Sequence, residues 1–198
     1  MPVIKIEDVF VGDEIEKIYS HVDKALYGIG PESEEGHYFF NAKDVGYFAV
    51  FNFPNTKFYD RLHEVAEQYS GYKLNADSQI HFARYTTNTG AEPRLRPHYD
   101  GMLKSDTITL SVQLKKNIDW LIYCNGEEAS IDTNEAILFS GSHQIHWRPQ
   151  RKFVDGEFLD VLVCQFPIVG GSDLPEGHED NMNEIRKPFI DIYGSIED

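Results

Sequence analysis

The spacing of apolar residues along the chain changes once, from helical to strand-like. Two stretches have helical spacing: Ile15, Ile18, Tyr19, Val22 and Leu26 form the first, and Phe58, Leu62, Val65 and Tyr69 form the second. Each is followed by a glycine that can end a helix, Gly28 or Gly71. This pattern predicts two amphipathic helices. Between them, residues 45–53 carry β-branched and aromatic side chains on both faces, which predicts a buried strand.

After residue 72 the helical spacing ends, and short apolar runs separated by turns follow one another. They predict strands at residues 79–85, 96–100, 107–114, 120–124, 135–139, 144–147 and 158–166. We therefore expect an α+β chain in which N-terminal helices pack on a double-stranded β-helix, a jelly-roll or cupin-like barrel. The expected organisation is a single domain over residues 1–198. It has a helical part at 1–71, a jelly-roll core at 72–167 and an acidic tail at 168–198.

The net charge of the chain limits the classes of partner that it can bind. A net charge of −15 over 198 residues repels a phosphate backbone, whereas it suits solubility or attraction of a cationic substrate. The first residues lack the basic and apolar regions of a signal peptide, and no apolar run approaches the roughly 20 residues that span a bilayer. We expect a cytoplasmic monomer or homodimer that binds neither nucleic acid nor membranes. Cys124 and Cys164 are expected to be buried free thiols.

His98 and Asp100 are two residues of metal-ligating type that lie two positions apart. Side chains two apart on a strand share a face, so this His-x-Asp pair would present an imidazole nitrogen beside a carboxylate oxygen. The same tripeptide starts at His21 and at His178. The first lies in a predicted helix, where residues two apart do not share a face, and the second lies in the acidic tail without a later histidine. Only the pair at His98 has strand-like flanks and a histidine further on.

A third ligand is expected from residues 139–149, which follow the apolar run 136–139. His143 and His146 are three apart, so a strand can point only one of them at the metal. We favour His146, because His143 directly follows the bend at residues 141–142. Two histidines and one carboxylate that leave open positions form the facial triad of non-haem Fe(II) oxygenases. The alternative is a hydrogen-bonded His-x-Asp pair that holds no metal.

The order of these features resembles the Fe(II)/2-oxoglutarate-dependent oxygenases. A tyrosine, a His-x-Asp pair and a distal histidine, here Tyr85, His98, Asp100 and His146, look most like the branch that includes the prolyl hydroxylases. Residues 145–149, Ile-His-Trp-Arg-Pro, also resemble a set of members with His-Trp-Arg after the last apolar strand.

The resemblance covers residues 79–166 and implies Fe(II), 2-oxoglutarate and O2 as cofactors, with His98, Asp100 and His146 as the iron ligands. It also implies hydroxylation of a C–H bond in an amino acid, a peptide side chain or a small metabolite. Retention of Asp100 argues against halogenation, because halogenating relatives carry a small residue there.

One feature of the resembled branch is missing. Its members usually carry Arg or Lys about ten residues after the distal histidine, where it pairs with the distal carboxylate of 2-oxoglutarate. Residues 154–160 contain no cation. In order of preference, the substitutes are Arg148, which shares a strand face with His146, then Lys115, and then Arg151 beside Lys152 in a predicted turn. Lys115 ends the strand from which Jumonji-type hydroxylases supply a lysine.

Other residues have open roles. Tyr85 is a candidate for a hydroxyl that binds the cosubstrate. Arg84 and Arg96 are either substrate clamps or surface cations, and Trp147 and Trp120 are either packing residues or substrate platforms. Two rival functions also stay open. One is a 2-oxoglutarate-independent, cupin-type Fe(II) oxygenase, favoured by the missing cation, and the other is a non-catalytic jelly-roll binding protein.

Overall fold

The computed structural model describes residues 1–27, 38–42, 47–51, 57–76, 78–87, 91–100, 105–178, 180–181, 184 and 187–188. For residues 21, 23–27, 38–42, 47–48, 50–51 and 57 it describes the backbone alone.

Helix α1 covers Glu14–Tyr27 and helix α2 covers Lys57–Ser70. The strands are β1 Ile4–Ile6, β2 Tyr38–Ala42, β3 Tyr47–Phe51, β4 Gln79–Thr86, β5 Leu95–His98, β6 Thr107–Lys116, β7 Ile122–Cys124, β8 Glu127–Ala129, β9 Ala136–Ser140, β10 His146–Arg148 and β11 Phe158–Pro167. Among the described residues, no helix is long and apolar enough to cross a membrane.

The strands form two antiparallel sheets. The seven-stranded sheet has the order β1-β9-β6-β11-β4-β3-β2, and the four-stranded sheet has the order β5-β10-β7-β8. The long strands β6 and β11 pair over most of their length at the centre of the larger sheet. Because successive side chains of a strand point to opposite faces, each of these central strands contributes to two different environments.

One face of the larger sheet carries the main apolar core, which the helices share. From the helices this core includes Ile18, Val22, Phe58, Leu62, Val65 and Ala66, and from the strands it includes Phe82, Leu110, Val112, Leu162 and Cys164. The strand residues between these positions, such as Thr109 and Ser111 of β6, line a cavity instead. The fold therefore keeps helices on one face of the larger sheet and, on the other, a cavity lined by both polar and apolar residues.

The helices lie where the apolar pattern predicts them. Gly71 has φ 73° and follows α2 directly, as expected for a glycine that ends a helix, whereas Gly28 lies outside the described residues. The predicted strand at 45–53 is β3, and the seven strands predicted after residue 72 correspond to β4, β5, β6, β7, β9, β10 and β11 with shifted ends. Both cysteines are buried and free.

Three strands lack a prediction from the pattern, and two of them fall in the part expected to be helical. β1 and β2 join the larger sheet at its two edges, so residues 1–71 supply strands as well as helices. β8 follows a turn at Asn125 and Gly126, both with positive φ. An Asn-Gly pair is the sequence signature of such a two-residue hairpin, so β8 was predictable.

Candidate metal centre

His98, Asp100 and His146 converge in the structure. The Nε2 atom of His98 and the Nε2 atom of His146 each lie 3.6 Å from Oδ1 of Asp100. One ligand atom from each of the three residues lies within 4.8 Å of the others. His146 and Asp100 are buried, and His98 is partly exposed. Such a set of two imidazole nitrogens and one carboxylate oxygen can hold a metal ion and leave coordination positions open.

The two histidines come from neighbouring strands. His98, the last residue of β5, is the Cα partner of His146, the first residue of β10. Their rings lie 4.1 Å apart between centroids. The expectation that Asp100 shares the strand of His98 is wrong, because β5 ends at His98. The Asp100 N–H donates instead to the carbonyl of Gly141 at 2.9 Å, which holds the carboxylate beside the β9–β10 turn.

Hydrogen bonds to the backbone orient both rings. The Nδ1 atom of His98 lies 2.8 Å from the carbonyl oxygen of Arg96, and that of His146 lies 3.2 Å from the carbonyl oxygen of Gln144. A carbonyl can only accept, so each Nδ1 carries the proton and each Nε2 presents its lone pair to the centre. Burial lowers the pKa of His146 to about 4, with His98 as a second cause, so this ring is neutral at physiological pH.

The carboxylate of Asp100 is held in a comparable way. The Thr109 hydroxyl donates to Oδ2 of Asp100 at 2.5 Å, which leaves Oδ1 facing the two imidazoles. Gly141 packs against both groups. A Cβ atom on Gly141 would overlap Oγ1 of Thr109 and would lie 2.7 Å from Oδ2 of Asp100, closer than real Cβ atoms approach. Residue 141 must therefore lack a side chain for this arrangement to form.

His143 lies outside this cluster. Its side chain is half exposed, and its Nε2 atom lies 2.7 Å from Oδ1 of Asp106. The structure thus brings His146 to Asp100 and directs His143 to the surface. His178, from another His-x-Asp tripeptide, places its Nε2 atom 3.1 Å from the carbonyl oxygen of Ser142. The side chain of His21 lies outside the described residues.

A cavity of about 240 Å³ adjoins the His98, Asp100 and His146 cluster, between the two sheets. The larger sheet contributes residues of β4, β6 and β11 to its lining, and the smaller sheet contributes residues of β5, β7 and β10. Besides that cluster, its polar lining residues are His81, Tyr85, Tyr99, Thr109, Ser111, Arg148 and Gln165.

Arg148 is the cation of this cavity among the described residues. Its side chain is buried, its Nη1 atom donates to the carbonyl of Trp120, and its guanidinium lies 5.3 Å from the centroid of the Trp120 ring. Its Nη2 atom is buried and has no hydrogen-bond partner in the described part of the chain. Burial lowers the pKa of Arg148 to about 10, so it keeps its charge at neutral pH. A buried charge without an acidic partner is strongly disfavoured unless a ligand supplies the anion.

The other predicted cosubstrate residues have different positions. Tyr85 lines the cavity and packs edge-on against Trp120 with 5.1 Å between ring centroids. Lys115 does not line the cavity, because its Nζ atom lies 4.2 Å above the ring of Tyr19 in α1. Arg151 is exposed, and its backbone N–H donates to the carbonyl of Pro93.

The predicted substrate-binding residues Arg84, Arg96 and Trp147 are not among the residues that line the cavity. Arg84 faces the helices and makes two hydrogen bonds of 2.6 Å to the buried carboxylate of Asp160. Trp147 is fully buried and stacks on Tyr123 with 5.2 Å between ring centroids, which is a packing role. Arg96 uses its backbone carbonyl to orient His98.

Five polar residues of the cavity had no predicted role: His81 on β4, Tyr99 after β5, Thr109 and Ser111 on β6, and Gln165 on β11. Burial is the largest cause that lowers the pKa of His81, to about 4. The signal for His81 was present in the sequence, because it lies two and four residues before Ala83 and Tyr85 on the same strand face. The residues of β6 and β11 on the cavity side, in contrast, could not be predicted, because the pairing of these two strands determines which side chains face the cavity.

No protein-family model matches the chain, and a search of curated proteins finds no match. Solved structures do match. A prolyl-4-hydroxylase from Pseudomonas putida superposes with a TM-score of 0.55 at 14% identity, over 83% of this chain and 92% of that one. The α-ketoglutarate-dependent epimerase SnoN from nogalamycin biosynthesis gives a TM-score of 0.63 at 9% identity, over 88% and 81%. A prolyl 4-hydroxylase from Phytophthora capsici superposes with a TM-score of 0.55 at 13% identity, over 84% of this chain and 58% of that one.

At identities of 9% to 14% these similarities establish the fold. The chain has the mostly antiparallel jelly-roll fold of these three structures, and within that fold it has a His/Asp/His cluster that could hold a metal ion.

Proposed function

We propose that the protein is a non-haem Fe(II)/2-oxoglutarate-dependent oxygenase that hydroxylates a C–H bond of an amino acid, a peptide side chain or a small metabolite. The observation that carries this proposal is the pairing of two features in one cavity. The His98, Asp100 and His146 cluster presents three metal-ligating atoms, and Arg148 presents a buried charge without an acidic partner among the described residues.

In this proposal the two Nε2 atoms and Oδ1 of Asp100 hold Fe(II). Bound there with 2-oxoglutarate and O2, the iron supplies the oxidising chemistry: 2-oxoglutarate becomes succinate and CO2, one oxygen atom enters the succinate, and the other enters the substrate C–H bond. The chain contributes orientation through the Nδ1 hydrogen bonds and through Thr109, and Leu95, Ile122 and Phe139 are among the apolar residues of the cavity wall.

Arg148 is the proposed anchor for the distal carboxylate of 2-oxoglutarate. It lies two residues after His146 on β10, about 6.6 Å along a strand, and both side chains face the cavity. That separation suits a five-carbon diacid with one end at the metal. Arg148 would take the place of the cation that residues 154–160 lack. Lys115 and Arg151 are less suited, because neither lines the cavity.

The His-Trp-Arg sequence is consistent with this division of roles. His146 and Arg148 face the cavity, while Trp147 between them packs outward against Tyr123. The SnoN similarity indicates that the same fold also carries a 2-oxoglutarate-dependent epimerase, so a different outcome at the substrate carbon is the nearest alternative within this proposal.

An anaerobic titration tests the proposal. The Fe(II)-loaded protein is titrated with 2-oxoglutarate while the visible metal-to-ligand charge-transfer band of the chelate is followed. We expect a band in the wild type and none in His146→Ala, which lacks a ligand. In Arg148→Met we expect bound iron but a much weaker affinity for 2-oxoglutarate, with Lys115→Met as the matched control that behaves like the wild type.

Each contrary result points to one rival. Bound iron without a band would favour the 2-oxoglutarate-independent oxygenase. No bound iron would favour the non-catalytic binding protein. Equal affinities of Arg148→Met and wild type for 2-oxoglutarate would show that another group anchors the cosubstrate.

A further inference from the structure

The cavity contains a second buried polar group that lacks a partner. Gln165, on β11, lines the cavity and is 3% exposed. Its side-chain oxygen Oε1 is buried and has no hydrogen-bond partner in the part of the chain that the structure describes. Buried amide oxygens are nearly always paired in folded proteins, because an unpaired one loses its hydration without compensation. An acceptor that stays unpaired in a ligand-binding cavity is therefore available to a ligand.

Gln165 is placed beside the metal cluster. It is the Cα partner of Thr109 on β6, and the Thr109 hydroxyl donates to Asp100. Cross-strand partners point to the same face with their Cβ atoms about 5 Å apart, so Gln165 flanks the carboxylate ligand. The Thr109 hydroxyl proton is already used by Asp100 and is not available to Gln165.

Arg148 lies toward a different part of the cavity. Its guanidinium lies over the ring of Trp120, which packs against Tyr85. Tyr85 pairs with Leu159, near the start of β11, whereas Gln165 lies near its end. Leu159 and Gln165 are six residues apart, which is about 20 Å along a strand, so the carboxylate of 2-oxoglutarate that Arg148 would hold lies toward the other end of β11 from Gln165.

We propose that Gln165 is a substrate-binding residue, whose side-chain carbonyl accepts a hydrogen bond from an N–H or O–H of the substrate next to the carbon that reacts. This inference rests on the proposed function and adds the chemical class of the substrate. It selects molecules that carry a hydrogen-bond donor, such as an amide N–H or a hydroxyl, close to the reacting carbon. His81 of β4 is the Cα partner of Val163, which lies two residues before Gln165 on β11, so His81 lines the cavity next to Gln165.

The test uses two probes that differ in one donor, N-methylacetamide and N,N-dimethylacetamide. The protein is loaded with Mn(II) and saturated with 2-oxoglutarate, so that the probes cannot occupy the cosubstrate position. Paramagnetic relaxation of the probe methyl protons, measured against the Zn(II)-loaded protein, reports binding next to the metal. One neutral hydrogen bond changes affinity by roughly two- to tenfold, so we expect that preference for the probe with the N–H.

Three variants identify the group responsible. Gln165→Met has a similar volume but no acceptor, and we expect the ratio between the probes to fall to one. Gln165→Glu keeps an acceptor and should keep the preference. Gln150→Met, at an exposed glutamine, is the control and should match the wild type. A ratio of one in the wild type, or an unchanged preference in Gln165→Met, would overturn the inference.

Two further measurements distinguish substrate binding by Gln165 from a structural role and from a role in the cosubstrate site. The melting temperature of the metal-free Gln165→Met protein should equal or exceed that of the wild type, because an unpaired buried oxygen has been removed. A clear decrease would show a structural role instead. If 2-oxoglutarate affinity falls in Gln165→Met, the residue belongs to the cosubstrate site and the inference fails. If the wild type binds Mn(II) but not 2-oxoglutarate, the proposed function fails while the probe preference still tests Gln165.

Discussion

At the scale of single residues, the absence of a side chain at residue 141 decides the position of the Asp100 carboxylate. A methyl group in Gly141→Ala would overlap Thr109 and displace Asp100. We expect the affinity for Mn(II) or Co(II) to fall by about 10- to 100-fold, the range found when groups that orient a metal ligand are disturbed. Equilibrium titration with either ion measures it. Gly171→Ala, which is also tightly packed but lies at Ile168 and Asp106, is the control with unchanged affinity.

Arg148 has opposite consequences for stability and for binding. In the free protein it is a buried charge without an acidic partner among the described residues, although it does donate to Trp120. We expect Arg148→Met to leave the free energy of unfolding unchanged or to raise it by up to about 2 kcal/mol. Urea unfolding of the metal-free protein measures this. A loss of several kcal/mol would mean that Arg148 stabilises the free protein and is not held there for binding an anion.

The convergence of His98, Asp100 and His146 was predictable from sequence, whereas much of their surroundings was not. His98, Asp100 and His146 could be selected because ligand types, strand-like flanks and chain order agreed. Gln165 could not be selected, because β11 is apolar on both sides of it and its inward direction depends on pairing with β6. The role of Gly141 follows from contacts with Thr109 and Asp100, which no local pattern contains.

At the scale of elements, a buried ion pair connects α1 to the larger sheet. Asp160 of β11 is fully buried, accepts two hydrogen bonds from Arg84 of β4 and accepts another from the Tyr19 hydroxyl of α1 at 2.5 Å. Burial is the largest cause that raises the pKa of Tyr19, and the hydrogen bonds to Asp160 raise that of Arg84. Tyr19 therefore acts as a neutral donor and Arg84 as a permanent cation in this cluster.

Removing the charge of Asp160 should destabilise the protein strongly. Asp160→Asn leaves Arg84 largely buried without a carboxylate, and we expect a loss of about 3–5 kcal/mol in the free energy of unfolding. Tyr19→Phe removes one donor and should cost about 1 kcal/mol. Chemical denaturation measures both. Similar small losses in the two variants would indicate that the ion pair contributes little.

The element scale also shows where the sequence leaves alternatives open. Arg84 was equally consistent with a substrate clamp and a surface cation, because its partners Tyr19 and Asp160 lie far away in the chain. The helices and long strands were predictable from periodicity alone. The short edge strand β1 was not, because three residues are too few for a pattern and its pairing with β9 defines it.

At the scale of the whole molecule, one face of the larger sheet packs in the main apolar core, and the other face carries the polar residues that line the cavity. The helical face carries the large core, while the cavity face carries Arg148, Gln165 and the imidazoles of His81 and His146. The Nη2 atom of Arg148 and the Oε1 atom of Gln165, which have no hydrogen-bond partner among the described residues, lower the stability of the free protein, and ligands that pair with them restore it. The free energy of unfolding of the ligand-free protein should therefore change with pH, because pH changes the charge of the imidazoles in the cavity.

The pH dependence of the metal-free protein tests this link. The pKa values of His81 and His146 are lowered by burial from 6.5 to about 4. The unfolded chain binds protons below pH 6.5 while the folded imidazoles stay neutral, so stability is complete above pH 6.5 and is lost as pH falls toward 4. Each imidazole contributes up to about 1.4 kcal/mol per pH unit within that window.

Unfolding by urea in the presence of a chelator, at about pH 7 and about pH 5, measures the loss before most carboxylates titrate. His81→Gln removes one of the two imidazoles and keeps a polar side chain, so its loss of stability between these pH values should be clearly smaller than that of the wild type. When Zn(II) replaces the chelator, it should oppose the effect in both proteins, because it binds the neutral imidazole of His146. Identical pH dependence in wild type and His81→Gln would mean that other groups control the acid sensitivity of the fold.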